Sequence, residues 1–368
     1  MRILAFAAMA VALATPPVYA QVSPCVVADA SCKESLPAVG QKNFWYFRSY
    51  PLQTYNADIT RAVIVMHGNA RNAPDYFDAV VRALYQDPSV LRTTVVIAPH
   101  FKGYTGTPTC SDEVLQDELY WSCSGGTTDW KDGGRAHLTS GTYSFTMIDR
   151  LVNMLNDQSV FPNLTKITIT GHSAGGQFAQ RYAAGNQMAL GASVSVKYVI
   201  ANPGSYMYLD NTRLPNGGTC RDDGTCVDQD GSTALFTPYD WETTCPGYNN
   251  YKYGLDSRSF GYMNSAQPGF SDDEVRSRFI GRAVAYLLGE TDQLDNASFD
   301  RSCPANAEGS HLAADGSGLV GGRRERGTIF WNYMQQLGAN HTLTVVPTCG
   351  HNEFCMYSAI ETIQAILF

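Results

Sequence analysis

Lys166-Ile167-Thr168-Ile169-Thr170-Gly171-His172-Ser173-Ala174-Gly175-Gly176 is the stretch that decides the fold. Its first five residues are a short β-branched run and read as a buried strand. Residues 177–184 (QFAQRYAA) read as a helix. Between the two stands Gly-x-Ser-x-Gly, and the flanking strand and helix turn this loose motif into a nucleophile elbow. So sharp a turn needs flanking residues with almost no side chain, which Gly171 and Gly175 supply. Ala174 and Gly176 let the helix start close to the sheet. Ser173 is then held at the tip with its hydroxyl exposed. The Ala174 amide points to where an oxyanion would form, with the helix N-terminus adding its dipole.

Outward from the elbow, strands and helices alternate. Arg61–Met66 reads as a buried strand running into His67-Gly68-Asn69-Ala70. Residues 74–86 follow as an amphipathic helix, with Phe77, Val80, Val81 and Leu84 at helical spacing. Further strands are read at 44–50, 93–98, 196–201, 282–289 and 342–347, and further helices at 141–156, 320–337 and 354–366. The 99–136 segment reads as a long loop carrying Cys110, Trp121, Cys123 and Trp130, and residues 21–43 as irregular chain draped over the surface. Residues 202–278, rich in Gly, Asn, Asp, Pro and Tyr, have too few apolar residues for a core of their own and read as an insertion over the site. Alternation of this kind predicts a mostly parallel sheet covered on both faces, with the site at the carboxyl ends of its strands.

His67, Ser173, Asp292 and His351 all fall just past the end of a strand. A serine hydroxyl is a poor nucleophile at neutral pH, so it needs a base within reach and a carboxylate to orient that base. Of seven histidines, His351 is the natural base, delivered by the Gly350-His351 pair after the last strand. His172 is expected to pack beside the nucleophile strand and His67 to shape its own loop. Asp292 is the first choice of acid, with Asp295 next, Glu290 as its other neighbour, and Asp210, after the previous strand, as a more distant option. An oxyanion hole needs two amide donors. Ala174 gives one, and Asn69 is expected to give the other, with Ala70 as the alternative.

The chain has 368 residues, 44% of them hydrophobic and 16% charged, enough for one large α/β domain with insertions or for two small domains. A net charge of −8 with no basic stretch argues against nucleic acid or an anionic membrane as partner. Residues 1–20 read as a signal peptide: Arg2, an apolar run, then Val18-Tyr19-Ala20. Residues 21–368 then form the single mature domain. Ten cysteines follow, an even number that argues for disulfides in an exported chain. Close spacing suggests 25–32, 110–123, 220–226 and 349–355, leaving 245–303. The Asn-x-Ser/Thr sequons at Asn163, Asn296 and Asn340 would carry glycans in a eukaryotic source.

Together these residues resemble the α/β-hydrolase family over roughly residues 60–368. Ser173, Asp292 and His351 follow its chain order of nucleophile, acid and histidine, and His67-Gly68 matches its oxyanion-loop position. The resemblance is nearest to secreted serine esterases and polyester-depolymerase-like members. It implies a monomeric secreted esterase acting through an acyl-enzyme on a polymeric, aromatic or short-chain acyl ester, with no metal or organic cofactor. A serine peptidase or amidase on the same scaffold, and a non-catalytic binding protein, are the alternatives. The aromatics of the 120–135 loop, and Tyr239, Trp241, Tyr248, Tyr251 and Tyr253 of the insertion, either grip substrate or build small stapled cores.

Overall fold

The computed structural model describes residues 23–123, 127–137, 139, 141–215, 218–228, 230–238, 246–259, 261–293, 311–312, 319–320 and 322–367. The expected signal peptide, Asp295, the 245–303 cysteine pair, Tyr239, Trp241 and the Asn296 sequon lie outside these residues. In chain order the strands begin with β1 (Lys33–Pro37), β2 (Asn43–Arg48), β3 (Arg61–Met66), β4 (Thr94–Pro99), β5 (Tyr104–Thr107), β6 (Cys110–Ser111), β7 (Lys166–His172) and β8 (Ser195–Ala201). They continue with β9 (Thr212–Arg213), β10 (Thr219–Cys220), β11 (Cys226–Val227), β12 (Thr237–Pro238), β13 (Ala283–Gly289), β14 (His311–Leu312), β15 (Leu319–Val320) and β16 (Thr342–Val346). The helices are α1 (Ala73–Tyr85), α2 (Pro88–Arg92), α3 (Ser144–Leu155), α4 (Ala174–Gly185), α5 (Asp272–Ile280), α6 (Gly322–Gln336), α7 (Glu353–Ser358) and α8 (Ile360–Leu367).

Eight strands form one sheet in the order β1-β2-β4-β3-β7-β8-β13-β16. From β4 to β16 every neighbour is parallel, while β1 and β2 run antiparallel at one edge. The near-continuous apolar runs are what a sheet buried on both faces requires. Side chains alternate between the faces with period two. Ala62, Ile64 and Met66 of β3 enter one core, Val63 and Val65 the other; Tyr198 and Ile200 of β8 oppose Val199 and Ala201 in the same way. Phe145 of α3, Phe178 of α4, Val275 of α5 and Phe330 of α6 close the first layer. Phe77 of α1, Met356 of α7 and Ile366 of α8 close the second.

Three readings change. Residues 33–37 are not draped chain but the edge strand β1, paired with β2 from Lys33↔Phe47 to Pro37↔Asn43. An edge strand is only half-covered, so it carries no clean alternation. The 202–278 segment contains a helix, α5, opened by a capping box in which Ser271 and Glu274 satisfy each other's backbone amides. The C-terminal helix is two, broken at Ala359 (φ −70°, ψ 141°). Its halves dock at different places: the Tyr357 hydroxyl meets Thr170 Oγ1, whereas the Ile366 carbonyl accepts from Thr168 Oγ1.

Within 202–278, Tyr206, Met207, Tyr208 and Leu209 join the main core, and Leu214, Cys226 and Ala234 pack on Ile329 of α6. Disulfides join Cys25–Cys32, Cys110–Cys123, Cys220–Cys226 and Cys349–Cys355, the pairings that spacing predicts. Among the described residues no helix is long and apolar enough to cross a membrane.

Candidate active site

β7 ends in the elbow, and the turn there is closed by backbone packed on backbone. Ser173 sits at φ 60°, ψ −121°, a conformation that L-residues other than glycine seldom adopt. A Cβ on Gly171 would lie 2.2 Å from the Gly175 carbonyl oxygen. One on Gly175 would lie 2.3 Å from the Met66 oxygen and 2.6 Å from that of His67. The obstacle at both positions is main chain, which cannot step aside as a flexible side chain can. Gly175→Ala is therefore expected to cost about 3 kcal/mol or more, read as a lowered urea midpoint at unchanged m-value.

The loop after β16 brings His351 over this serine. The Ser173 hydroxyl donates to His351 Nε2 across 2.9 Å, and His351 Nδ1 donates to Asp292 Oδ2 across 2.8 Å. A carboxylate only accepts, so the imidazole carries its proton on Nδ1 and leaves Nε2 as the acceptor. Asp292 is buried, while the His351 side chain keeps 30% of its surface exposed. Two closures fix the loop. Cys349 is bonded to Cys355 of α7, and the Cys349 carbonyl accepts from the Thr291 amide. Gly289, at the end of β13, comes so close that a Cβ there would stand 2.6 Å from the Cys349 oxygen.

Asn202 joins these parts and was not read from the sequence. It follows β8 at φ 41°, fully buried. Its Nδ2 donates to the Gly350 carbonyl, and its Oδ1 accepts from the Gly289 amide. Arg323 was missed as well: its guanidinium lies 3.6 Å from Asp292 Oδ1, the oxygen that His351 leaves free. A signal was present. Cations are disfavoured in the first turn of a helix, yet α6 opens with Arg323, Arg324 and Arg326. Each has a purpose off the helix, at Asp292, at Asp222 and at the Gly204 carbonyl respectively.

Behind Ser173 lies the loop after β3. His67 is fully buried, 4.6 Å from the Trp130 ring. Its Nε2 accepts from the Phe101 amide, and Nδ1 lies 2.9 Å from the Gly68 carbonyl. Burial pushes its pKa down to about 3, with His100 adding to the effect, so the ring is a neutral brace. Asn69 is exposed, and its carbonyl is held by Arg71 Nη1. Arg71 in turn grips Asp112 with two nitrogens, which ties this loop to the Cys110–Cys123 hairpin. Ala174 is the first residue of α4, where a backbone N–H has no partner inside the helix.

The other candidates are engaged elsewhere. Glu290 accepts from the Thr348 amide, and Asp210 closes a turn on Thr212. His172 packs beside its strand with Nδ1 on the Tyr76 hydroxyl. Trp121 and Trp130 are wholly buried, and Tyr248 and Tyr251 donate to main-chain carbonyls, so these aromatics are consumed in packing. Among the described residues Cys25, Asp29 and Cys32 have metal-ligand spacing, but the two sulfurs are joined to each other.

No protein-family model matches the chain, and no curated protein is significantly similar to it in sequence. Solved structures do match. LpqC, a poly(3-hydroxybutyrate) depolymerase from Bordetella parapertussis, is 20% identical with a TM-score of 0.51, over 87% of this chain and 82% of the other. Poly(aspartic acid) hydrolase-1 from Sphingomonas sp. KT-1 is 17% identical with a TM-score of 0.49, over 88% and 95%. With a parallel sheet of this order and a strand–elbow–helix at its centre, the chain has the α/β-hydrolase fold.

Proposed function

We propose that this chain is a secreted serine hydrolase that cleaves carboxylic esters. The observation that carries the reading is the continuous hydrogen-bonded line from Ser173 through His351 to Asp292, anchored at a strained elbow. Ser173 Oγ attacks the ester carbonyl carbon as its proton passes to His351 Nε2. The amides of Ala174 and Asn69 donate to the oxyanion. As the intermediate collapses, the bond to the alcohol oxygen breaks and His351 returns the proton to the leaving alcohol. Water then attacks the acyl-enzyme, His351 takes its proton, and the acid leaves with Ser173 restored. Asp292 orients His351 and stabilises its cationic form.

Four disulfides among the described residues support an oxidising compartment, hence secretion. The same reading takes the chain after residue 20 as one monomeric domain with the 202–278 segment as its insertion. The sequon asparagines Asn163 and Asn340 are exposed and would accept glycans in a eukaryotic host. Poly(3-hydroxybutyrate), the polymer in the name of the first fold neighbour, belongs among the substrates tried.

The test is turnover of p-nitrophenyl acetate, butyrate and longer esters beside a solid polyester and matched p-nitroanilides. Ester turnover far above anilide turnover is expected. Parity between ester and anilide would make the chain an amidase. Silence on all of them, with Ser173 unlabelled by a fluorophosphonate, would make it a binding protein.

A further inference from the structure

Two buried residues outside the Ser173–His351–Asp292 line touch both halves of the site. Tyr76 of α1 and His172 of β7 are each almost wholly enclosed, and the Tyr76 hydroxyl stands 3.1 Å from His172 Nδ1. On its other side the same hydroxyl faces the Gly68 backbone. A Cβ on Gly68 would lie 2.7 Å from that oxygen, so the loop that carries Asn69 rests directly on it. The His172 ring in turn lies 4.5 Å from the His351 ring, tilted by 35°.

The Tyr76 hydroxyl and His172 Nδ1 share one hydrogen bond, whose donor is set by the tautomer of His172. His172 Nε2 has no hydrogen-bond partner among the described residues. Burial, reinforced by His351 and Arg323, holds His172 far below the usual imidazole range. Burial, with Tyr357, Glu353 and Asp75 facing it, holds the Tyr76 phenol far above its own. Both groups stay neutral wherever an esterase works.

We propose that Tyr76 and His172 are positioning residues, a strut that couples the Gly68-Asn69 donor loop to the ring of His351 so that the two move as one unit. The inference rests on the ester-hydrolase reading. That reading needs the base and the oxyanion donors registered on one carbonyl group, although they come from loops after β3 and β16. The Asn69 amide, next along the loop that rests on Tyr76, is the one that would face a substrate.

The experiment compares Tyr76→Phe, His172→Phe and the double variant, with p-nitrophenyl butyrate as substrate and Ser173→Ala as blank. Each single variant is expected to lose about tenfold in kcat with KM nearly unchanged. Each also leaves a buried polar group without its partner and should lower the melting temperature. The double variant removes hydroxyl and imidazole together, so its melting temperature should climb back. Its kcat should stay at the level of the singles, because the two act as one unit. A double variant whose kcat recovers along with its melting temperature would reduce the pair to a structural role, and so would singles with full kcat. If the wild type turns over no ester, the ester reading fails by itself. The strut is then judged by the rate at which a fluorophosphonate labels Ser173, which must fall about tenfold in both singles. Should Tyr76→Phe not fold, His172→Phe decides on the same readouts.

Discussion

Ser173→Ala is expected to lower kcat for ester hydrolysis by a factor on the order of 10⁴ to 10⁶, with KM changed little. The size follows from what is lost. Without Oγ no acyl-enzyme forms, and what remains is the contribution of the oxyanion donors and substrate binding to direct attack by water. The fold should not notice. The hydroxyl bonds His351 at the surface of the site, and alanine meets the same strain as serine at φ 60°. A change in stability of about 0.5 kcal/mol or less is therefore expected. Fluorophosphonate labelling should vanish in the same variant. Retained turnover in a folded Ser173→Ala protein would remove this serine from the chemistry, and with it the proposed function. Strong loss of turnover together with loss of the folded state would instead say that the elbow, not the nucleophile, had been damaged.

How much of this was legible in the sequence depends on whether a residue's task is local. The elbow was legible because its constraint is steric and lies within six residues: Gly171 and Gly175 stand where any side chain would strike main chain. Asp292 and His351 could be found because a parallel sheet delivers the residues after its strands to one edge, and both follow strands of plain apolar character. Edge strand β1 was hidden because one of its sides faces no partner strand. Helix α5 was hidden because only Val275 and Phe279 are buried in its nine residues. Arg323, Asn202 and Tyr76 act through partners brought from 31, 87 and 96 residues away respectively. No local pattern reports such a pairing. The aromatic residues left two readings open for a different reason. Composition cannot tell a tryptophan that meets substrate from one like Trp130, stacked on Phe101 at 5.5 Å and closed off from solvent.

The largest expected loss of stability lies two turns along the elbow helix. Arg181 of α4 is wholly buried, and its Nη1 bonds Asp132 Oδ1 at 2.9 Å. Nη2 donates to Ser205 Oγ, and Nε to the Lys252 carbonyl. Lys252 Nζ approaches the other Asp132 oxygen at 3.8 Å, and Lys131 pairs with Asp129 beside it. One guanidinium thus fastens the helix behind Ser173 to the loop after Cys123 and to the segment that follows β8. Burial raises the Asp132 pKa even against these cations, so desolvation is a heavy cost in this cluster. Asp132→Ala takes away the carboxylate that Arg181 Nη1 bonds in the interior, and about 3 to 5 kcal/mol of stability should be lost. That is a large share of the roughly 5 to 15 kcal/mol that holds a typical domain together. The double replacement Asp132→Leu with Arg181→Met removes both charges and should recover most of the loss, since two well-packed apolar side chains escape the desolvation cost. Urea melts of the single and double variants read this directly. If the double variant is no more stable than Asp132→Ala, the cluster holds the three segments by its hydrogen-bond geometry rather than by compensated charge. Activity then adds what stability cannot. Should the double variant melt like the wild type yet turn over ester slowly, the guanidinium is also setting where α4, and so the Ala174 amide at its start, sits beneath the substrate.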